Sequence, residues 1–191
     1  VLVKNPKGVP MVWLDLIAGE HFDLPAKTLR LGALFADVFA LSATEVGQKI
    51  VKGLVAVIDP ETKKIIYSNA SHNPPFLLRA KTEDYTPTKS DIIPLMENPG
   101  YRLGHKPDST YENYEVEIES GDVISFFTDG IIEGVNPAGK EYGERRFIKS
   151  MIKHCRLSSE DMLDQVITDG HVFFDGIEVD DDVTLAMVKI K

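Results

Sequence analysis

The stretch Val123-Ile124-Ser125-Phe126-Phe127-Thr128-Asp129-Gly130-Ile131-Ile132-Glu133 decides the fold. Apart from Ser125, the residues Val123 to Thr128 are β-branched or aromatic, without polar alternation. Such a run predicts a central strand covered on both faces. The strand ends on Asp129-Gly130. An Asp-Gly pair is ordinary turn chemistry, but a carboxylate at the end of a buried strand is costly unless it is paired or binds a cation. Two further pairs read differently: Asp169-Gly170 follows a helical pattern and reads as a helix ending, and Asp175-Gly176 reads as a short linker.

Working outward, Gly53 to Ile58 and Ile65 to Ser68 are apolar runs separated by Asp59-Pro60-Glu61-Thr62-Lys63-Lys64, the pattern of a β-hairpin. Phe76-Leu77-Leu78-Arg79 adds a short strand after Pro74-Pro75, and residues 80 to 110 read as loops with short edge pieces. Tyr114, Val116 and Ile118 alternate with Glu115, Glu117 and Glu119, a half-buried strand with an acidic outer face. Phe147, Ile148, Met151 and Ile152 fit a helix with Lys149 and Lys153 on its polar face. Ser158 or Ser159 caps a second helix with Met162, Leu163, Val166 and Ile167 as its buried stripe. Val183 to Ile190 closes the chain as a strand. In the first fifty residues, Pro10 opens one helical candidate ending at Gly19. Pro25 opens another, striped by Leu29, Leu34, Phe35 and Val38. Strands dominate and helices come in blocks, so the expected class is α+β, layered rather than doubly wound.

Composition narrows the function. The chain has 191 residues, 43% hydrophobic and 27% charged, which suits one globular domain over residues 1–191 and excludes disorder or a coiled coil as a description of the whole. Acidic residues outnumber basic ones 30 to 21, a formal charge of −9, which argues against nucleic acid as the main partner. An acidic chain acts on anions when a bound cation supplies the positive charge. The single cysteine, Cys155, forms neither an internal disulfide nor a CxxC zinc pair, and reads as structural. No apolar run approaches the roughly 20 residues that span a bilayer. The start, Val1-Leu2-Val3-Lys4-Asn5-Pro6, has neither a Met nor a signal-like segment and reads as an excised piece. A soluble, cytoplasmic domain is the expectation.

Asp180-Asp181-Asp182 precedes the last strand and reads either as a solvated acidic turn or as carboxylates facing Asp129, if the two strands are neighbours. Convergent carboxylates suit Mg²⁺ or Mn²⁺, hard cations that favour oxygen. His72 reads as a ligand, a base, a phosphate contact or a structural loop residue. The remaining histidines show no metal spacing, and no serine-hydrolase elbow, P-loop or GxGxxG fingerprint is present.

Several motifs occur in a telling order. They are Ile58-Asp59-Pro60-Glu61-Thr62, Ser68-Asn69-Ala70-Ser71-His72-Asn73-Pro74-Pro75, Leu103-Gly104, Gly121-Asp122, Thr128-Asp129-Gly130-Ile131-Ile132-Glu133 and Asp181-Asp182-Val183-Thr184. With Asn136-Pro137, Gly139 and Tyr142-Gly143, they resemble the SpoIIE/RsbU-like branch of the PPM (PP2C-like) serine/threonine phosphatases, over roughly residues 50 to 191. The resemblance implies an antiparallel β-sandwich with helices on both outer faces and two Mn²⁺ or Mg²⁺ ions. It implies hydrolysis of phosphoserine or phosphothreonine by metal-activated water, with no catalytic side chain assigned. Carried over, Asp129 and Asp181 are metal ligands, and Gly130, Asp182 and His72 are site neighbours. The implied substrate is a phosphorylated regulatory protein, such as an anti-sigma-factor antagonist, with a fused or upstream sensor domain.

The beginning of the chain departs from this pattern. Lys7-Gly8-Val9-Pro10 matches the end of a family motif, which puts Val3 where the family has a ligand Asp and Pro6 where it has Gly. Either the first metal-ligand motif is absent, or Asp15 or Asp23 substitutes. The alternative function is therefore a degenerate phosphatase-fold module that regulates by binding a partner.

Overall fold

The structure, a computed structural model, describes residues 37–39 and 50–191 except positions 60, 83 and 180. Its described residues fall into two compact units, each with its own antiparallel sheet. The class is α+β, as the sequence predicts.

One unit takes in the described residues up to Pro74 and Leu95–Ile118. Its sheet has the order β1-β2-β3-β6, formed by β1 (Asp37–Phe39), β2 (Ile50–Asp59), β3 (Lys64–Ala70) and β6 (Tyr114–Glu117). The β2–β3 hairpin closes on the Asp59↔Lys64 pair. The Asp59 carboxylate accepts the Glu61 and Thr62 N–H groups at 2.9 and 3.2 Å, so the side chain builds the turn. Lys63 holds the left-handed conformation at φ 53° that completes it. Opposed pairs Ala56↔Tyr67 and Ile58↔Ile65 are buried, while Val55 on the alternate face is exposed. This is the period-2 pattern of a sheet with one covered face. Among the described residues this unit holds no helix.

The other unit takes in Pro75–Pro94 and Glu119–Lys191. Its sheet has the order β5-β4-β7-β8, with β4 (Phe76–Leu78), β5 (Ile92–Pro94), β7 (Val123–Phe127) and β8 (Leu185–Lys189). Every residue of β7 is buried, as its unbroken apolar run requires. Three helices follow β7 in the chain: α1 (Gly130–Glu133), α2 (Gly143–His154) and α3 (Ser159–Phe174). Phe147 and Met151 of α2, one turn apart, are buried in a core with Phe76, Phe127, Val166 and Leu185. The rings of Phe127 and Phe147 lie 4.7 Å apart and those of Phe76 and Phe127 5.1 Å. Full burial of each such ring stabilises by roughly 1.5–3 kcal/mol. Ser158 is the cap of α3: its hydroxyl accepts the Asp161 N–H at 3.1 Å.

One tight turn, from Glu119 to Asp122, feeds β7. Gly121 has φ +93°, and a Cβ on it would stand 2.7 Å from the Lys81 carbonyl, so the entrance to β7 needs glycine. Buried Asp122 beside it pairs with Arg79 and accepts the Glu119 N–H at 2.8 Å. Desolvation nevertheless outweighs these partners and raises its pKa above the ordinary carboxylate value.

Three expectations need correcting. Val38, assigned to a helical stripe, lies in β1, where a β-branched side chain suits the pleat. Asp169 does not end a helix but sits inside α3, which continues to Phe174. Asp175-Gly176 is not a plain linker: Asp175 is the left-handed C-cap of α3, at φ 48°. The helical candidates after Pro10 and Pro25, apart from Val38, lie outside the described residues, as do Val3, Pro6, Asp15 and Asp23.

Candidate functional site

Strands β7 and β8 are antiparallel neighbours, in register from Val123↔Lys189 to Phe127↔Leu185. The exit of β7 therefore lies beside the entrance of β8, and this satisfies the condition under which Asp129 and Asp181 share one end of the sheet. Thr128 fastens the two segments. Its N–H donates to the Thr184 carbonyl at 3.0 Å, and its buried hydroxyl donates to the Asp182 carbonyl and accepts the Thr184 N–H, each at 2.8 Å.

Gly130 brings the backbones still closer. A Cβ there would stand 2.8 Å from the Asp182 carbonyl oxygen and 3.3 Å from that of Asp181. Thus Asp129-Gly130 and Asp181-Asp182 meet at main-chain distance, and only a residue without a side chain permits it. Asp129 is half-buried, whereas Asp181 and Asp182 are exposed. The Asp181 carboxylate accepts the Asp182 N–H at 2.8 Å. After Gly130 the chain turns at once into α1, with the Ile132 and Glu133 N–H groups both bonded to the Asp129 carbonyl.

The donor set here is carboxylate oxygen, the chemistry that suits Mg²⁺ or Mn²⁺ and not a thiolate-loving metal. Asp129 and Asp181 fit such an ion in kind. Among the described residues, no group of three or more His, Cys, Asp and Glu side chains forms a ligand cluster.

His72 belongs to the other unit. It is buried, at 6% exposure, and held by a turn that Asn69 organises. The Asn69 side chain accepts the His72 N–H at 2.7 Å and donates to the His72 carbonyl at 3.0 Å, and His72 Nδ1 lies 2.9 Å from the Asn73 carbonyl oxygen. Cys155 is a buried free thiol at the end of α2, and desolvation raises its pKa away from the nucleophilic range, in keeping with a structural role.

Residues 22–191 match the family model for stage II sporulation protein E. The chain belongs to the SpoIIE family. It is 26% identical over 176 residues to protein IcfG of Synechocystis, covering 91% of this chain and 22% of that protein. It is 27% identical over 125 residues to the phosphoserine phosphatase RsbU of Bacillus subtilis, covering 65% of this chain and 34% of that one. The chain therefore spans between a fifth and about a third of the length of these relatives. In structure it is similar to the SiaA-PP2C domain of Pseudomonas aeruginosa, with a TM-score of 0.62 at 16% identity over 75% of this chain and 53% of that one. The fold is thus PP2C-like, and the family match begins beyond the departing segment at residues 3–10.

The sequence marks Asp129, Gly130, Asp181 and Asp182 as site residues and places Thr128 in the same motif, but gives Thr128 no role of its own. Its signal was available: a threonine at a strand exit carries a hydroxyl that both donates and accepts. No helix of the described residues is long and apolar enough to cross a membrane.

Proposed function

We propose that this chain is a metal-dependent phosphatase of phosphoserine or phosphothreonine in a regulatory protein, acting as a single domain over residues 1–191. The observation that carries the proposal is the main-chain contact between Asp129-Gly130 and Asp181-Asp182 in a chain of the SpoIIE family with a PP2C-like fold. Asp129 and Asp181 hold Mn²⁺ or Mg²⁺. When bound, the ions activate water and offset the negative charge of the phosphoryl group. Thr128 sets the spacing of the two acidic segments, and Gly130 lets them approach. Asp182 joins the frame through its carbonyl and leaves its carboxylate exposed beside the site. RsbU, a relative named as a phosphoserine phosphatase, supports phosphoserine as the substrate class. A regulator of the anti-sigma-factor-antagonist type is the proposed partner.

The test is phosphate release from a phosphoserine peptide, with Mn²⁺ and with excess chelator, by the parent, Asp129→Asn and Asp181→Asn. We expect release by the parent that chelator abolishes and that each variant lowers at least about a hundred-fold, since a lost ligand removes several kcal/mol of charge stabilisation. A folded parent that binds Mn²⁺ without releasing phosphate would leave the partner-binding module as the function. Variants as active as the parent would refute the site.

A further inference from the structure

Helices α2 and α3 enclose an open cleft of about 410 Å³ that the proposed phosphatase site does not use. Its rim is cationic. Arg146, Lys149 and Lys153 stand three and four residues apart on α2, so they share one helix face. Around them α2 carries a further base, Arg145, against a single acid, Glu144. In a chain of net charge −9, this is a local reversal of sign. Its lining also has apolar members: Val172 is 74% exposed, and Phe173 packs its ring edge-on to Tyr142 at 5.4 Å.

The cations are held in position by different means. The Arg146 guanidinium lies 4.6 Å over the Phe173 ring and donates to the Glu141 and Tyr142 carbonyls. Lys153 reaches Asp169, the one carboxylate in the lining, at 3.1 Å. Asp169 also accepts from Ser150 Oγ at 2.7 Å and lies 3.0 Å from His154 Nε2, so its charge is answered within the wall. Lys149 is exposed and meets no carboxylate among the described residues. An apolar shelf edged by cations complements a peptide that carries carboxylates beside an aliphatic residue.

We propose that the α2–α3 cleft docks an acidic segment of a protein partner, with an aliphatic side chain on Val172 and Phe173 and carboxylates on Arg146 and Lys149. This docking does not depend on the phosphatase reading. The test titrates the full chain with a fluorescein-labelled peptide alternating Glu and Leu, read by anisotropy and by amide shifts in a ¹⁵N-labelled sample. We expect saturable binding that weakens with added salt, shifts confined to residues of α2 and α3, and about tenfold loss for Lys149→Glu. Val172→Asp, at a well-exposed position, gives a second variant with the same expected loss, and unchanged melting temperatures confirm that both variants fold. Absence of binding, equal binding by both variants, or shifts centred elsewhere would overturn the proposal. So would binding as tight by polyphosphate, RNA, anionic vesicles or a Glu-only peptide, each of which would make the cleft a general anion surface.

Discussion

The end of the sheet at β7–β8 and the cleft between α2 and α3 lie in one unit but are built by opposite means. At the sheet end, main chain meets main chain, and Thr128 and Gly130 fix the spacing of two acidic segments. In the cleft, one side chain, Asp169, gathers Ser150, Lys153 and His154 from the neighbouring helix. A site set by strand register tolerates change poorly at small residues and leaves a contiguous motif. A site set by a side-chain hub is spread across two helices and leaves none.

That contrast is best broken at Gly130. Gly130→Ala forces a methyl to 2.8 Å from the Asp182 carbonyl, and overpacking of this kind costs about 1–3 kcal/mol. Phosphatase activity should fall with it, because the two acidic segments are pushed apart. Denaturant unfolding beside phosphate release measures both, and an unchanged pair would mean the backbones are not held together as described.

Thr128→Val keeps the shape and removes the hydroxyl. It leaves the Asp182 carbonyl and Thr184 N–H without that partner and should cost about 1–2 kcal/mol, with Thr128→Ser recovering part of it. Ser158→Ala removes the cap of the helix that carries Val172 and Phe173, for about 1 kcal/mol. It should leave Mn²⁺ binding at the sheet end untouched, and a changed affinity would show that the two regions are coupled.

The smallest effect is on pH. Burial pushes the Asp169 carboxyl up, but hydrogen bonds from Ser150, Lys153 and His154 and the charge of Lys153 outweigh it and hold its pKa below the ordinary value. A carboxylate depressed in the folded state contributes stability above its unfolded pKa of about 3.9 and loses it as pH falls through the folded value. Acid unfolding of Asp169→Asn should therefore be less steep below about pH 4 than that of the parent. Equal slopes would remove Asp169 from its place as the hub.

The same contrast explains what was legible. β7 could be read because four of its five consecutive residues are large and apolar, with Ser125 the one exception, and the hairpin because Asp59 and the turn residues punctuate it. Thr128-Asp129-Gly130 and Asp181-Asp182 stood out as motifs because register concentrates the site into two short runs. Asp169 was misread because Thr-Asp-Gly looks like a helix stop, while its real partners lie on another helix, 15 to 19 positions earlier. Sequence spacing does not encode that meeting.

The proposed phosphatase site stands or falls with divalent-ion binding by Asp129 and Asp181. Mn²⁺ binding by electron paramagnetic resonance, on the parent and on Asp129→Asn and Asp181→Asn, tests it without reliance on turnover. Saturable binding by the parent, and at least about tenfold weaker binding by each variant with the fold intact, is the expected result. Parent-like affinity in both variants would contradict it.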